Sequence, residues 1–285
     1  TIVIVHKDFL MTQWRDRIKQ FLPDARIGKI QQSTIDIEDK DIVLAMVQSL
    51  SQKEYDSNIF TSFGLAIFDE CHHLGAEVFS RSMSKVASKY MLGLSATPNR
   101  KDGLRKVFEW FIGPMVYSTT EKNKDYIETR IYEYYDEDPI YSKLEKIHTK
   151  RGPQPCMPRM INNISDCKQR NLFINKIIKS EYEKGRKLLI LGDRREYLNR
   201  TQKWCNENIK SDVVGQYVGG MKPSELRDSQ EKDIILGTFS MASEGMDIPK
   251  LNTIILASPK SDVVQSVGRI LREKADVRKF HPLVI

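Results

Sequence analysis

Short runs of purely apolar residues alternate along this chain with stretches whose apolar positions recur every three or four residues. The first pattern is that of strands buried on both faces, the second that of helices laid against them. Their alternation predicts parallel sheets wrapped by helices. Ile2–Val5 reads as a buried strand. Asp8 can then cap a helix with Leu10, Trp14, Ile18 and Phe21 on one face, ended by Pro23. Residues 42–46, 65–68 and 91–94 are the next buried strands, and a first domain is expected over 1–118.

Residues 119–165 break the rhythm. Their first half is acidic and tyrosine-rich (Tyr132, Tyr134, Tyr135, Asp136, Glu137, Asp138). Their second half is basic and proline-rich (Lys143, Lys146, Lys150, Arg151, Pro153, Pro155, Pro158, Arg159). Such a shift predicts a linker or inserted subdomain, open to a protein partner or to nucleic acid. From 166 the alternation resumes, giving a second domain over 166–285 with strands at 187–191, 213–218, 234–238, 253–257 and 283–285 and a helix over 262–271. The expected fold class is α/β, two domains of parallel sheet flanked by helices. The chain opens on a core strand and stops on an apolar run, which reads as an ordered fragment with its first domain truncated at the N-terminus.

Composition narrows the partners. A net charge of +7 and a pI near 9.1 fit a polyanionic partner without establishing one. No run of about 18 apolar residues exists, so no membrane span is expected. The first residues lack the order of a signal peptide, and an intracellular protein, nuclear or cytoplasmic, is expected. Cys71, Cys156, Cys167 and Cys205 form no C-x-x-C pair and read as ordinary reduced thiols.

Three clusters carry candidate chemistry. Leu65 to Phe68 end in Asp69 and Glu70, two carboxylates where α/β sheets place ligands. One could hold Mg²⁺ while its neighbour orients an attacking water; the alternative is a solvated acidic turn. Gly93-Leu94-Ser95-Ala96-Thr97-Pro98 puts small hydroxyls at another strand end, or is a plain turn. Gln265, Arg269 and Arg272 share one helix face at i, i+4 and i+7, suiting a phosphate clamp or a solvated face.

The order of these clusters carries more than any one of them. Asp69-Glu70-Cys71-His72, Ser95-Ala96-Thr97, Ser243 to Pro249 and Gln265-x-x-Gly268-Arg269-x-x-Arg272 resemble motifs II (DECH type), III, V and VI of superfamily 2 helicases. Val3 to Lys7 with Gln13-Trp14 is similar to motif Ia, Val47 to Leu50 to the small nucleic-acid-contacting motif, and Leu188 to Gly192 to motif IV. The His6-Lys7-x-Phe9-Leu10-x-x-Gln13-Trp14 and Ser95-Ala96-Thr97-Pro98-x-Arg100-x-Asp102-Gly103 stretches look closest to the double-stranded-DNA group, which holds repair and transcription helicases and ATPases of large DNA viruses.

The resemblance implies two RecA-like domains and an enzyme that hydrolyses ATP with Mg²⁺ between them to move along nucleic acid, expected to be DNA. It implies that Asp69 binds Mg²⁺ and Glu70 is the general base. His72, Ser95 and Thr97 would couple hydrolysis to movement. Arg269 and Arg272 would be arginine fingers with Gln265 beside them, and Gly245 and Asp247 would line the nucleotide. Lys7, Gln48 and Thr238 would touch the nucleic-acid backbone. A viral source would place the protein in the host cytoplasm or virion.

One departure matters. No G-x-x-x-x-G-K-[ST] occurs in the sequence; the nearest stretch, Gly215 to Lys222, has its lysine one place late and Pro223 after it, and reads as a strand and turn. In the family the P-loop precedes motif Ia, upstream of Thr1, so these residues alone are expected to grip ATP poorly and to be inactive. Two alternatives stay open: a P-loop-less nucleic-acid-binding module without ATPase activity, and an RNA helicase.

Overall fold

The computed structural model describes residues 1–71, 76–86, 88–96, 105–119, 126–150 and 152–285. They form two compact units, Thr1–Thr120 and Glu121–Ile285.

Unit 1 contains β1 (Ile2–Val5), α1 (Asp8–Phe21), β2 (Ile27–Gln31), β3 (Thr34–Asp36), β4 (Ile42–Met46), α2 (Val47–Gln52), α3 (Asn58–Thr61), β5 (Leu65–Phe68), α4 (Ala76–Lys85), β6 (Tyr90–Gly93) and α5 (Arg105–Ile112). Its sheet runs β3-β2-β4-β1-β5-β6, parallel except for the β2–β3 hairpin. The period-two alternation of a strand divides β1 between two cores. Ile2 and Ile4 pack with Val43, Ala45, Ala66 and Phe68, while Val3 and Val5 pack with Leu44, Leu10, Met11 and Ile18. Burying such a side chain stabilises by about 1.5–3 kcal/mol, which is why the central strands are apolar throughout.

Unit 2 contains β7 (Glu128–Thr129), β8 (Lys146–Thr149), β9 (Gly152–Pro155), α6 (Met157–Asp166), α7 (Lys168–Glu183), β10 (Leu188–Leu191), α8 (Arg195–Asn208), β11 (Val214–Tyr217), α9 (Pro223–Gln230), β12 (Ile234–Gly237), α10 (Phe239–Gly245), β13 (Thr253–Leu256), α11 (Val264–Val267) and β14 (Leu283–Val284). A parallel sheet runs β11-β12-β10-β13-β14-β7, and β8 pairs only with β9. All of β10 is buried, with Leu188 and Ile190 against Ile178, Tyr197 and Leu198, and Leu189 and Leu191 against Ile235, Phe239 and Ile254. Glu181 on α7 is buried among cations: Arg130 at 2.9 Å, Lys184 at 2.6 Å and Arg186 at 3.4 Å.

Three local expectations are corrected. Phe21 is 72% exposed, because the last turn of α1 runs past the sheet that buries Leu10 and Ile18. Lys7, not Asp8, stands at the N-cap of α1, and the Asp8 carboxylate accepts from the Gln31 amide at 3.0 Å. The helix over 262–271 is in two pieces, α11 and a 3₁₀ turn over Gly268–Leu271. Gly268, a poor helix former, takes ψ −20°, within the tighter 3₁₀ range.

No helix among the described residues is long and apolar enough to cross a membrane.

Candidate functional site

In unit 1 the chemistry gathers at the C-terminal end of β5. The Asp69 amide extends the ladder by donating to the Ile4 carbonyl at 3.0 Å. Its carboxylate is then held on both oxygens, Oδ2 by the Trp14 indole N–H at 2.8 Å and Oδ1 by the Glu70 amide at 3.0 Å. Glu70 adopts φ +48°, the left-handed region that a residue with a Cβ enters at a cost of about 1–2 kcal/mol. Strain of that kind persists where the surroundings impose a turn, and here it turns the chain at once after the strand.

The Ser95 loop lies against this turn. Leu94 donates to the Phe68 carbonyl at 2.9 Å, and Cys71 donates to the Leu94 carbonyl at 3.1 Å. Gly93 permits the approach, since a Cβ there would meet Ile112 Cδ1 at 2.9 Å and Cys71 Sγ at 3.3 Å. Both Asp69 and Glu70 are half-buried, as is Ser95. The Cys71 thiol is pushed up to about 11, first by burial and then by the Glu70 charge. His6, buried at the end of β1, is lowered mainly by burial and then by Lys7, against the opposite pull of Glu70 and Asp69.

Of the expected nucleic-acid contacts in unit 1, Gln48 donates its amide to the His6 carbonyl at 2.7 Å, tying α2 to the end of β1. Lys7 is half-buried, its ammonium 6.0 Å from the Phe9 ring, and burial lowers its pKa. His72 and Thr97 lie outside the described residues.

In unit 2 the segments resembling motifs V and VI are tied to each other. Arg269 Nη1 donates to the Met246 carbonyl at 2.9 Å, and the Arg272 guanidinium pairs with the Asp247 carboxylate. Gly245 ends α10, directly before these two partners. Gln265 sits on α11, four residues before Arg269. Thr238 stands at the N-cap of α10 with its hydroxyl 3.3 Å from that of Ser240. Gly215 to Lys222 forms β11 and a turn, with Gly220 at φ +84°.

Trp14 and His6 were missed as site residues. Trp14 fell on the apolar stripe of α1 and read as core; its place in the stretch resembling motif Ia and its indole N–H, a part-buried donor in need of an acceptor, were the signals for more.

The family model described as "Type III restriction enzyme, res subunit" matches residues 1–100. A protein of Acanthamoeba polyphaga mimivirus, provisionally named an ATP-dependent RNA helicase, is 38% identical over 286 residues, covering all of this chain and 54% of its own length. A provisionally named RNA helicase of African swine fever virus is 26% identical over 310 residues, covering all of this chain and 59% of its own length. The DNA 3'-5' translocase XPB2 of Sulfurisphaera tokodaii is 26% identical over 322 residues, covering 96% of this chain and 69% of its own length. This chain thus spans little more than half the length of the viral relatives. Among solved structures, a fragment assigned to the HsdR subunit of a Vibrio vulnificus type I restriction enzyme superposes with TM-score 0.63 at 18% identity, covering all of this chain and 52% of that one. The Mycobacterium smegmatis helicase Lhr does so with TM-score 0.62 at 14%, covering all of this chain and 39% of that one. These two show the fold, a pair of RecA-like α/β units. With relatives named as helicases or as a translocase over nearly all of its sequence, the chain carries a superfamily 2 helicase core.

Proposed function

We propose that the protein is a nucleic-acid-dependent ATPase that moves along or unwinds DNA. The observation that carries this reading is the Asp69–Glu70 turn, a carboxylate held on both oxygens beside a second carboxylate that strained backbone turns away from the strand.

The residues fit Mg²⁺. Each Asp69 oxygen accepts one N–H and keeps a lone pair, and Mg²⁺ is bound through one or two carboxylates plus water and substrate phosphates. Asp69 would hold the ion, which when bound neutralises charge developing on the phosphates. Glu70 would accept the proton of the attacking water. Ser95, in the loop pinned to Cys71 through Leu94, would carry the state of that site into the rest of unit 1, with His72 and Thr97 in the same role. In unit 2, Arg269 and Arg272 would stabilise the transferring phosphoryl group, with Gln265, Gly245 and Asp247 around the nucleotide. Lys7, Gln48 and Thr238 would meet the nucleic-acid backbone.

DNA as the substrate draws support from the relative named as a DNA translocase. A second reading, RNA, draws on the viral relatives named as RNA helicases. The test is ATP hydrolysis by the full-length protein with single-stranded and duplex DNA and RNA in parallel. Stimulation by DNA above RNA is the expected result. Stimulation by RNA alone would turn the assignment to the second reading, and no stimulated hydrolysis would leave a binding module.

A further inference from the structure

We propose that the β8–β9 hairpin is a phosphate-gripping arm that holds the backbone of the nucleic acid on which the protein acts, an inference that rests on the helicase reading above. The hairpin is a ribbon of its own. Lys146 pairs with Pro155, Ile147 with Gln154, His148 with Pro153 and Thr149 with Gly152, and neither strand joins the six-stranded sheet. Every one of these residues but Gly152 is exposed. A two-stranded ribbon is marginal in water unless something supports it. Support here comes from below: Cys156 donates to the Glu145 carbonyl at 2.7 Å, the Asn163 amide donates to the Glu145 carboxylate at 3.3 Å, and Arg159 donates to the Lys146 carbonyl at 3.4 Å. The base is thus fastened to α6 while both faces of the ribbon remain in solvent.

Charge and edge chemistry then select the partner. Residues 143–159 hold Lys143, Lys146, Lys150, Arg151 and Arg159 against a single acid, Glu145. That acid is already taken by Lys143 at 2.8 Å and by Asn163, which lower its pKa. Arg159 also feels the Glu145 charge, whereas among the described residues Lys146 and Lys150 form no ion pair. Pro153 and Pro155 have no N–H to offer, so the free edge of β9 cannot template a strand from another protein. A ribbon with one edge closed to strand addition and with Lys146 and Lys150 in no ion pair fits a polyanion. Ordering the segment costs conformational entropy, which a tether needed only for solubility would not spend.

The test uses the full-length protein and measures affinity for labelled single-stranded and duplex DNA across a salt series. Each phosphate contact contributes about 0.7–0.9 to the slope of log affinity against log salt. Replacing Lys146, Lys150 and Arg151 together by Gln is expected to flatten the slope by about two units. Lys176→Gln, Lys203→Gln and Lys210→Gln, made together, remove the same charge from α7, α8 and the loop after α8 and are expected to leave it unchanged. An unchanged slope in the hairpin variant, with salt-dependent binding intact in the parent, overturns the arm but spares the helicase reading. Equal flattening in both variants also overturns it, since net charge alone would then explain the effect. A parent that shows no salt-dependent binding at all overturns the reading and the arm together.

Discussion

Trp14 on α1 donates its indole N–H to Asp69 Oδ2 at 2.8 Å, joining two residues 55 positions apart at the end of the central strands. A hydrogen bond to a charged group contributes about 1.5–3 kcal/mol, and here it fixes which way the carboxylate points. Trp14→Phe keeps the ring against the sheet and removes only the donor. The full-length variant is expected to lose about tenfold in Mg²⁺-dependent turnover and to melt a few degrees lower, as the loss of one such bond requires. Unchanged turnover across a Mg²⁺ titration would make the bond a packing detail.

The general base and the strained backbone are the same residue, so they can be separated by substitution. Glu70→Gln should cost about 10²–10⁴-fold in hydrolysis while nucleotide binding persists, because Asp69 is untouched. Glu70→Asn should be as inactive, yet unfold no earlier than the parent, since Asn tolerates the left-handed region better than Glu. Hydrolysis and urea unfolding on the same pair of variants check both halves. Near-parental hydrolysis by the Gln variant would move the base elsewhere.

The central strands were legible because burial on both faces leaves one solution, an unbroken apolar run; β1, β4 and β5 follow the apolar runs at 2–5, 42–46 and 65–68. Elements at the margins were not. β2 and β3 carry Lys29, Gln31 and Asp36 and look like a polar connection, and β7 has two residues and exists through its pairing with β14. Phe21 fitted the helical period yet found no sheet beneath it. Within the site, Asp69 and Glu70 were readable from strand-end position, whereas the Trp14 and His6 contacts depend on tertiary neighbours that no local pattern encodes.

Arg272 is paired with Asp247 in unit 2, which leaves two accounts of it, a finger or a structural ion pair. The pair is partly exposed, and such pairs contribute about 0–1 kcal/mol to stability. Arg272→Ala is therefore expected to unfold normally while losing on the order of 10³-fold in kcat. A loss of stability with kcat retained would assign Arg272 to holding Asp247 and nothing more.

At the edge of unit 1, Arg26 donates to Asp41 through its guanidinium at 3.0 and 3.1 Å and through its backbone amide at 2.8 Å. The Arg26 side chain, then its backbone N–H, hold the Asp41 carboxyl at about 2, below its ordinary value. A depressed carboxyl contributes stability above its unfolded pKa, near 4, and loses it as pH falls through the folded one. The melting-temperature gap between parent and Asp41→Asn should be constant at neutral pH, narrow below about pH 4 and close near pH 2. A gap that does not change with pH would show that shape rather than charge makes the contact.

Glu181 presents the opposite case, an acid taken out of water. Its side chain is 3% exposed and meets Arg130, Lys184 and Arg186, so α7 is bound to the chain after β7 and to the start of β10 through one carboxylate. Arg186 is itself buried, donates to Thr253 Oγ1 at 3.2 Å and the His281 carbonyl at 3.0 Å, and lies 5.0 Å from the Phe280 ring. Burial lowers its pKa, which the Glu181 charge opposes. Removing the acid leaves Arg186 desolvated with only the charge of Glu128 to oppose it, and breaking comparable buried pairs costs about 3–5 kcal/mol. Glu181→Ala should therefore lower the urea midpoint of unit 2 sharply. Glu181→Ala with Arg186→Met, which removes the stranded charge as well, should recover part of the loss. Additive losses in the double variant would mean that the carboxylate serves Arg130 and Lys184, and that Arg186 is held by Thr253, His281 and Phe280 alone.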